Sequence, residues 1–412
     1  MGVSAGRRVA LAPFGVRSFR YQWGSDLLAS LSFEMETLIL GWYVLVETQS
    51  VVMLGIFGSL QYLGSLLAPF TGVLGDRLGS RSMLLAIRAT CGLLAMLIMV
   101  LALTGTLTPT LVFATAFLTG LLRPTEYMMR MALVGDIIPA DRLLGAMGLS
   151  RINIDVARIA GALTGTGLFA VIGLGLSYTV VSCFYVASVA LTFRIKRGTA
   201  SGQRPPGSNK SPGAAWAELK AGMALVWNTP SVLAIMWLAF LVNLTAFPVT
   251  VGLLPYVARD IYGLDQIGLG HIVSSYSFGA LMGAILMTFL GGMANANRVM
   301  MVTTVLWYVG LAILAFIDSK GPGIIVLFSV GLFQSVSMVT SLTALLNDTG
   351  EQFRARIMGV RMLAVYGMPL GLVASGYLIK QVGFAATTLA YSVIGLGVTL
   401  AIGYRWRRSI WH

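Results

Sequence analysis

The chain has 412 residues, 57% of them hydrophobic and only 10% charged, with a mean hydropathy of +0.84. Charged residues approach a quarter of a soluble globular domain, so the composition excludes that class and supplies about a dozen membrane spans of roughly 20 residues each. The net charge of +13 raises nucleic acid as a partner, but only Arg259, Lys320 and Lys380 fall in segments expected outside. The other basic residues gather on or near the opposite face, which is the asymmetry of an inner-membrane protein touching anionic lipid, with no nucleic acid partner.

In chain order, Arg7, Arg8, Arg17 and Arg20 precede a long apolar segment that carries acids and lacks a small-residue cleavage site. It reads as a retained first span, not a signal peptide. Apolar runs predict twelve helices, near 22–46, 51–74, 83–104, 110–133, 144–172, 176–195, 231–256, 267–292, 298–317, 322–346, 357–379 and 384–404. An even number places both termini in the cytoplasm, in keeping with Arg405, Arg407 and Arg408. The run from Arg197 to Gly213, rich in Gly, Ser, Pro and basic residues, reads as a flexible linker. After it, Trp216, Leu219, Met223 and Trp227 mix with Glu218 and Lys220, a pattern for a helix lying on the membrane surface. The expected organisation is therefore 1–196, a linker with an amphipathic helix over 197–230, and 231–412.

The halves echo each other: Arg151 and Gly161 recur as Arg361 and Gly371, an offset of 210, and Gly55 and Gly64 as Gly270 and Gly279, an offset of 215. Small residues four apart (Gly161 and Gly165, Gly279 and Gly283) allow close helix packing. Cys91 and Cys183 fall inside spans as packing residues, and His271 and His412 are far apart, so neither a metal site nor any other cofactor is expected. No nucleophile–base constellation suggests an enzyme.

Between the second and third predicted spans lies Gly72-Val-Leu-Gly-Asp-Arg-Leu-Gly-Ser-Arg-Ser-Met-Leu84. It resembles the signature of the major facilitator superfamily at Gly72, Leu74, Asp76, Arg77, Gly79, Arg81 and Leu84, with Gly75 for a frequent Ala and Ser80 for a basic residue. The runs Met35–Ser50 and Asn153–Gly161 resemble the first and fifth helices of the enterobactin-exporter-like, drug:proton antiporter branch, with Ala162 where that branch has proline. The resemblance implies an all-α membrane protein of twelve transmembrane helices in two pseudo-symmetric six-helix bundles, usually monomeric. It also implies a secondary transporter that exports a bulky amphipathic small molecule, siderophore or drug-like, by proton antiport and alternating access. In that setting Asp76 and Arg77 would form a cytoplasmic latch, with Arg354, Arg356 and Arg361 as partners.

Charges inside the spans mark the candidate chemistry. Glu34 and Glu36 lie roughly 18–21 Å along the first helix, at 1.5 Å per residue. Asp155 and Arg158 reach a similar depth in the fifth, and Arg123 and Glu126 lie in the inner half of the fourth. Each would cost about 2.5–3.5 kcal/mol at the bilayer centre if unpaired. Spacing predicts pairing within a helix among Arg151, Asp155 and Arg158, and among Arg123, Glu126 and Arg130. No cation is evident near the first helix, so Glu36, with Glu34 as the alternate, is the expected proton carrier. Asp155 and Glu126 are further coupling candidates, while Arg123 and Arg158 are expected to line the substrate cavity. Asn243, Tyr276, Gln334 and Tyr366 are candidate cavity residues in the later spans. Tyr127-Met-Met-Arg-Met131 reads as apolar filler. Two other readings keep the same fold: an importer or facilitator of organic anions clamped by Arg123 and Arg158, or a lipid flippase.

Overall fold

The computed structural model describes residues 12–64, 78–196, 212–290, 295–349 and 354–407. Among them there is no strand. The helices are α1 (Arg17–Thr48), α2 (Val51–Leu60), α3 (Ser80–Leu103), α4 (Pro109–Ile137), α5 (Leu143–Phe193), α6 (Pro212–Asn228), α7 (Pro230–Thr245), α8 (Gln266–Leu290), α9 (Ala296–Leu314), α10 (Lys320–Asn347), α11 (Arg354–Ala364), α12 (Gly367–Val382) and α13 (Phe384–Arg405). Nine helical segments among the described residues are long and apolar enough to cross a membrane. One of them, Gly145–Phe193, is 49 residues long, about twice the length of a span. It breaks at Gly173 (φ 76°, ψ 177°), a left-handed backbone that glycine adopts without steric cost. That break separates the predicted 144–172 and 176–195. The predicted 110–133 is helical as α4, and the predicted 51–74 begins as α2, with 65–77 outside the described residues. Each of the twelve predicted segments therefore contains helix.

Local rules account for several boundaries. Pro109 and Pro230 open α4 and α7 at the first turn, where a missing N–H costs nothing. Ser50 caps α2, its hydroxyl accepting from the Met53 amide at 3.4 Å. Past α7 the chain winds through two wide π-type turns, Pro248–Gly252 and Val257–Ile261, on either side of Leu254–Tyr256. The segment after the linker is helical as α6, with Met223 and Trp227 exposed and Val226 buried.

The chain forms two compact units, one of Met1–Leu40 with Leu66–Pro212 and the other of Gly41–Ser65 with Gly213–His412. In the first unit, α5 lies so close to α1 that a Cβ on Gly161 would sit 2.8 Å from the Glu34 Cβ. One on Gly165 would sit 2.9 Å from the Met35 Cα. The predicted small-residue pair is thus a backbone-to-backbone packing face. Two apolar clusters close this unit near the start of α1: Phe19, Val134, Ile138 and Ala146, and Met83, Leu84, Met129, Leu133 and Ile195.

The second unit is built the same way, but among its described residues no Asp, Glu or Lys is buried and Arg361 is half-buried. α8 packs on α10, where a Cβ on Gly283 would come within 3.1 Å of the Ser335 Cβ and one on Gly279 within 3.1 Å of the Leu332 amide. α12 packs on α7 through Gly367 and Gly371, and on α2 through Gly376. Short hydroxyl bonds tie its helices together, including Thr304 to Ser337 (2.6 Å), Thr245 to Tyr308 (2.7 Å) and the Tyr391 hydroxyl donating to the Gly371 carbonyl (3.0 Å).

Candidate functional site

The first unit concentrates its charges in three groups that the helices α1, α3, α4 and α5 bring together. The innermost is a dry, charge-balanced cluster. Arg88 of α3 is 1% exposed and Asp26 of α1 is 2% exposed, and they form a direct ion pair. Arg130 of α4 pairs with the other Asp26 oxygen at 2.8 Å, and Arg88 Nε reaches Glu126 Oε1 at 3.2 Å. Gln22 donates to both Asp26 oxygens at 2.9 and 3.1 Å, while Arg88 also donates to the hydroxyls of Ser25 (2.6 Å) and Thr192 (2.9 Å). Two cations face two anions, and the remaining donors are met by hydroxyls. That is the condition under which buried charge is tolerable. Asn153, fully buried, extends the cluster by accepting from Arg130 at 3.4 Å and donating to the Trp23 carbonyl at 2.8 Å.

The second group is half-exposed. Glu34 lies 3.7 Å from Arg158 and 4.0 Å from Arg123, whose guanidinium also covers the Phe33 ring. Two guanidinium groups share this one carboxylate. Close packing of α5 at Gly161 sets Arg158 beside Glu34, since the glycine meets the Glu34 Cβ.

Glu36 forms the third group with two tyrosines of α5. Two residues along a helix turn a side chain by 200°, so Glu36 faces away from Glu34. It is 6% exposed and accepts from the Tyr185 hydroxyl at 3.3 Å. Tyr178, fully buried, lies close to the same carboxyl. Among the described residues Glu36 forms no ion pair.

These positions correct two expectations. Arg123, Glu126 and Arg130 do not pair within α4: each turns to a different partner, Glu34, Arg88 and Asp26. Of the predicted set in α5, Arg151 and Asp155 do pair, at 3.2 Å, but Arg158 goes to α1. The first helix is also not free of cations, because four arginines reach it. A pair at i,i+4 on one helix is worth only a few tenths of a kcal/mol. A desolvated partner on a neighbouring helix outweighs that. Asp26, Arg88, Tyr178 and Tyr185 escaped the sequence reading, and a lone arginine inside the otherwise apolar α3 was the available signal.

The candidates of the later spans lie in the second unit. Asn243 donates back to its own helix at the Ala239 carbonyl (2.8 Å), Tyr276 is buried, Gln334 is half-buried, and the half-buried Tyr366 has an unbonded hydroxyl. Of the gating motif, Gly72, Asp76 and Arg77 lie outside the described residues. Gly79 (φ 82°) precedes α3, and Arg81 donates to the Phe193 and Thr192 carbonyls at 2.7 and 3.4 Å, capping the end of α5. Of the proposed latch partners, Arg361 has a buried nitrogen without a hydrogen bond.

Comparison with solved structures places the fold. A bacterial homolog of the human lysosomal transporter Spinster, inward-facing and unoccupied, superposes with a TM-score of 0.73 at 13% identity, covering 96% of this chain and 98% of that one. The transporter PepTSo of the POT family gives 0.76 at 12%, covering 96% and 98%. A mutant of the nucleoside transporter NupG gives 0.70 at 15%, covering 94% and 100%. No protein of curated function matches in sequence. The family model described as transmembrane secretion effector matches residues 8–411, and with these neighbours it identifies the chain as a member of that family, a multi-pass transporter of the major facilitator type.

Proposed function

We propose that the protein is a proton-coupled exporter of a bulky amphipathic organic molecule in a bacterial inner membrane, working by alternating access with Glu36 as its proton carrier. One observation carries this reading: Glu36 is a buried acid beside two tyrosine hydroxyls and, among the described residues, without an ion pair, while the acid–base cluster around Asp26 is internally balanced. An ionised carboxylate can only accept hydrogen bonds, whereas a protonated one also donates. Gaining or losing one proton therefore changes the bonding between α1 and α5 and the net charge of a low-dielectric interior. A ligand or proton shifts a two-state equilibrium only through such a difference between the states. The Glu36→Gln variant fixes the neutral form and is expected to fold normally but to lose transport driven by a proton gradient in proteoliposomes. Undiminished proton-driven transport in that variant removes Glu36 from the coupling.

A second reading, transport of organic anions, is favoured by the Glu34 group. There two guanidinium groups, each about a third exposed, hold one carboxylate at 3.7 and 4.0 Å, which a substrate carboxylate could replace.

A further inference from the structure

A separate concentration of charge lies at the start of α1, where the proposed transport cycle makes no use of it. A recess of about 490 Å³ opens there, lined by Val16, Arg17, Ser18, Tyr21, Arg194 and Lys196. One apolar cluster fixes both of its walls. Ile195, 1% exposed, packs with Met83, Leu84, Met129 and Leu133, and Tyr21 packs against the same cluster. Beyond the end of α5 the chain is no longer helical, so burying Ile195 leaves its neighbours Arg194 and Lys196 exposed. Arg81 clamps the preceding carbonyls of Thr192 and Phe193. On the opposite wall Arg17 donates to the Tyr21 hydroxyl oxygen from Nε and Nη2, each at 3.3 Å, and Arg194 interacts with the same hydroxyl.

Among the described residues no carboxylate pairs with Arg17, Arg194 or Lys196, although Arg88 and Arg130 in the same unit are both paired. We propose that this recess binds a phosphate-bearing anion. Guanidinium groups offer forked donors that match phosphate oxygens, and a lysine ammonium adds a point charge. Because the Tyr21 oxygen accepts from Arg17, its proton remains available to the anion, and the Ser18 hydroxyl can donate as well. The phosphate could belong to the headgroup of an anionic phospholipid or to a soluble ion or ester. The recess sits in the first turn of a helix long enough to cross the membrane, the level at which headgroups lie.

The test uses the full-length protein and the variant Arg17→Gln/Arg194→Gln/Lys196→Gln, with Arg20→Gln as a control, since Arg20 is exposed on the same turn but does not line the recess. Native mass spectrometry with added phosphatidylglycerol or phosphatidylcholine reads lipid retention, and calorimetry with inorganic phosphate reads the soluble source. The wild type is expected to retain phosphatidylglycerol preferentially. The triple variant should bind it on the order of 100-fold more weakly, from roughly a tenfold loss or less per cation near a membrane surface. The control should stay within about threefold. Phosphate binding lost in the triple variant, with no lipid preference, assigns the site to a soluble anion. Retention of both ligands by the triple variant overturns the proposal, and so does an equal loss in the control, which would mean diffuse surface charge. Should the triple variant melt early, the single variants Arg17→Gln and Lys196→Gln carry the same comparison.

Discussion

The first unit buries Asp26, Glu36, Asp155, Arg88 and Arg130, whereas in the second α7 and α8 contain no Asp, Glu, Lys or Arg, and α9 and α10 contain one each, Arg298 and Lys320, in the first turn. The second unit instead brings helix backbones together at Gly279, Gly283, Gly367, Gly371 and Gly376 and joins them with hydroxyl bonds. Both arrangements give most buried polar groups a partner, as lipid demands, and leave a few unbonded, among them the Tyr366 hydroxyl and an Arg361 nitrogen. They differ in what they can do. Paired charges that gain or lose a proton or a ligand change energy steeply, while a glycine seam offers only packing. On the proposed reading, chemistry belongs to the first unit and mechanical fit to the second.

The largest effect is expected where balance is broken inside the first unit. Arg88→Met leaves Glu126 without its partner and Asp26 with one cation fewer, and removing one member of a buried pair costs about 3–5 kcal/mol. A loss of that size should appear as reduced folded yield and a lower midpoint in thermal unfolding of the purified protein. Adding Glu126→Gln restores the charge count and should recover part of the loss, which a double-mutant cycle reads as coupling. Independent, additive effects would show that the cluster is not a unit.

A smaller loss is expected in the glycine seam. A side chain on Gly371 meets Pro248 Cγ at 2.7 Å and the Leu244 carbonyl carbon at 2.8 Å, so Gly371→Val should cost about 1–3 kcal/mol by overpacking. It should leave the pH dependence of transport unchanged, because among the described residues no carboxylate or histidine touches this seam. A shifted pH profile in that variant would dissolve the division between the units.

The smallest structural effect is expected at the half-exposed Glu34 group. Arg158→Lys should change stability by less than about 1 kcal/mol, since exposed ion pairs contribute little. Under the organic-anion reading it should nevertheless abolish inhibition of transport by small carboxylates, because lysine cannot make the forked contact. Unaltered inhibition would confine this pair to a packing role.

Much of the fold was legible because its determinants are local. Length and hydropathy located helix in all twelve predicted segments, and the small-residue pair Gly161 and Gly165 announced a close helix contact. The break at Gly173 fell where the apolar run was too long for one crossing. The site was only partly legible. Glu34, Glu36, Arg123 and Arg158 stood out as charges at depth, but their pairing did not, and Asp26 and Arg88 passed unnoticed although both lie well inside their helices.

By itself, then, the sequence determined that this protein crosses a membrane many times, which stretches are helical, and which charged side chains lie within them. Only the tertiary structure decided that Arg158 and Arg123 share Glu34, that Arg88 and Arg130 share Asp26, and that Glu36 meets two tyrosines rather than a cation. Transfer from water to lipid is a sum over residues and can be read along the chain. Pairing depends on the rotation and depth of each helix against its neighbours, which packing alone settles.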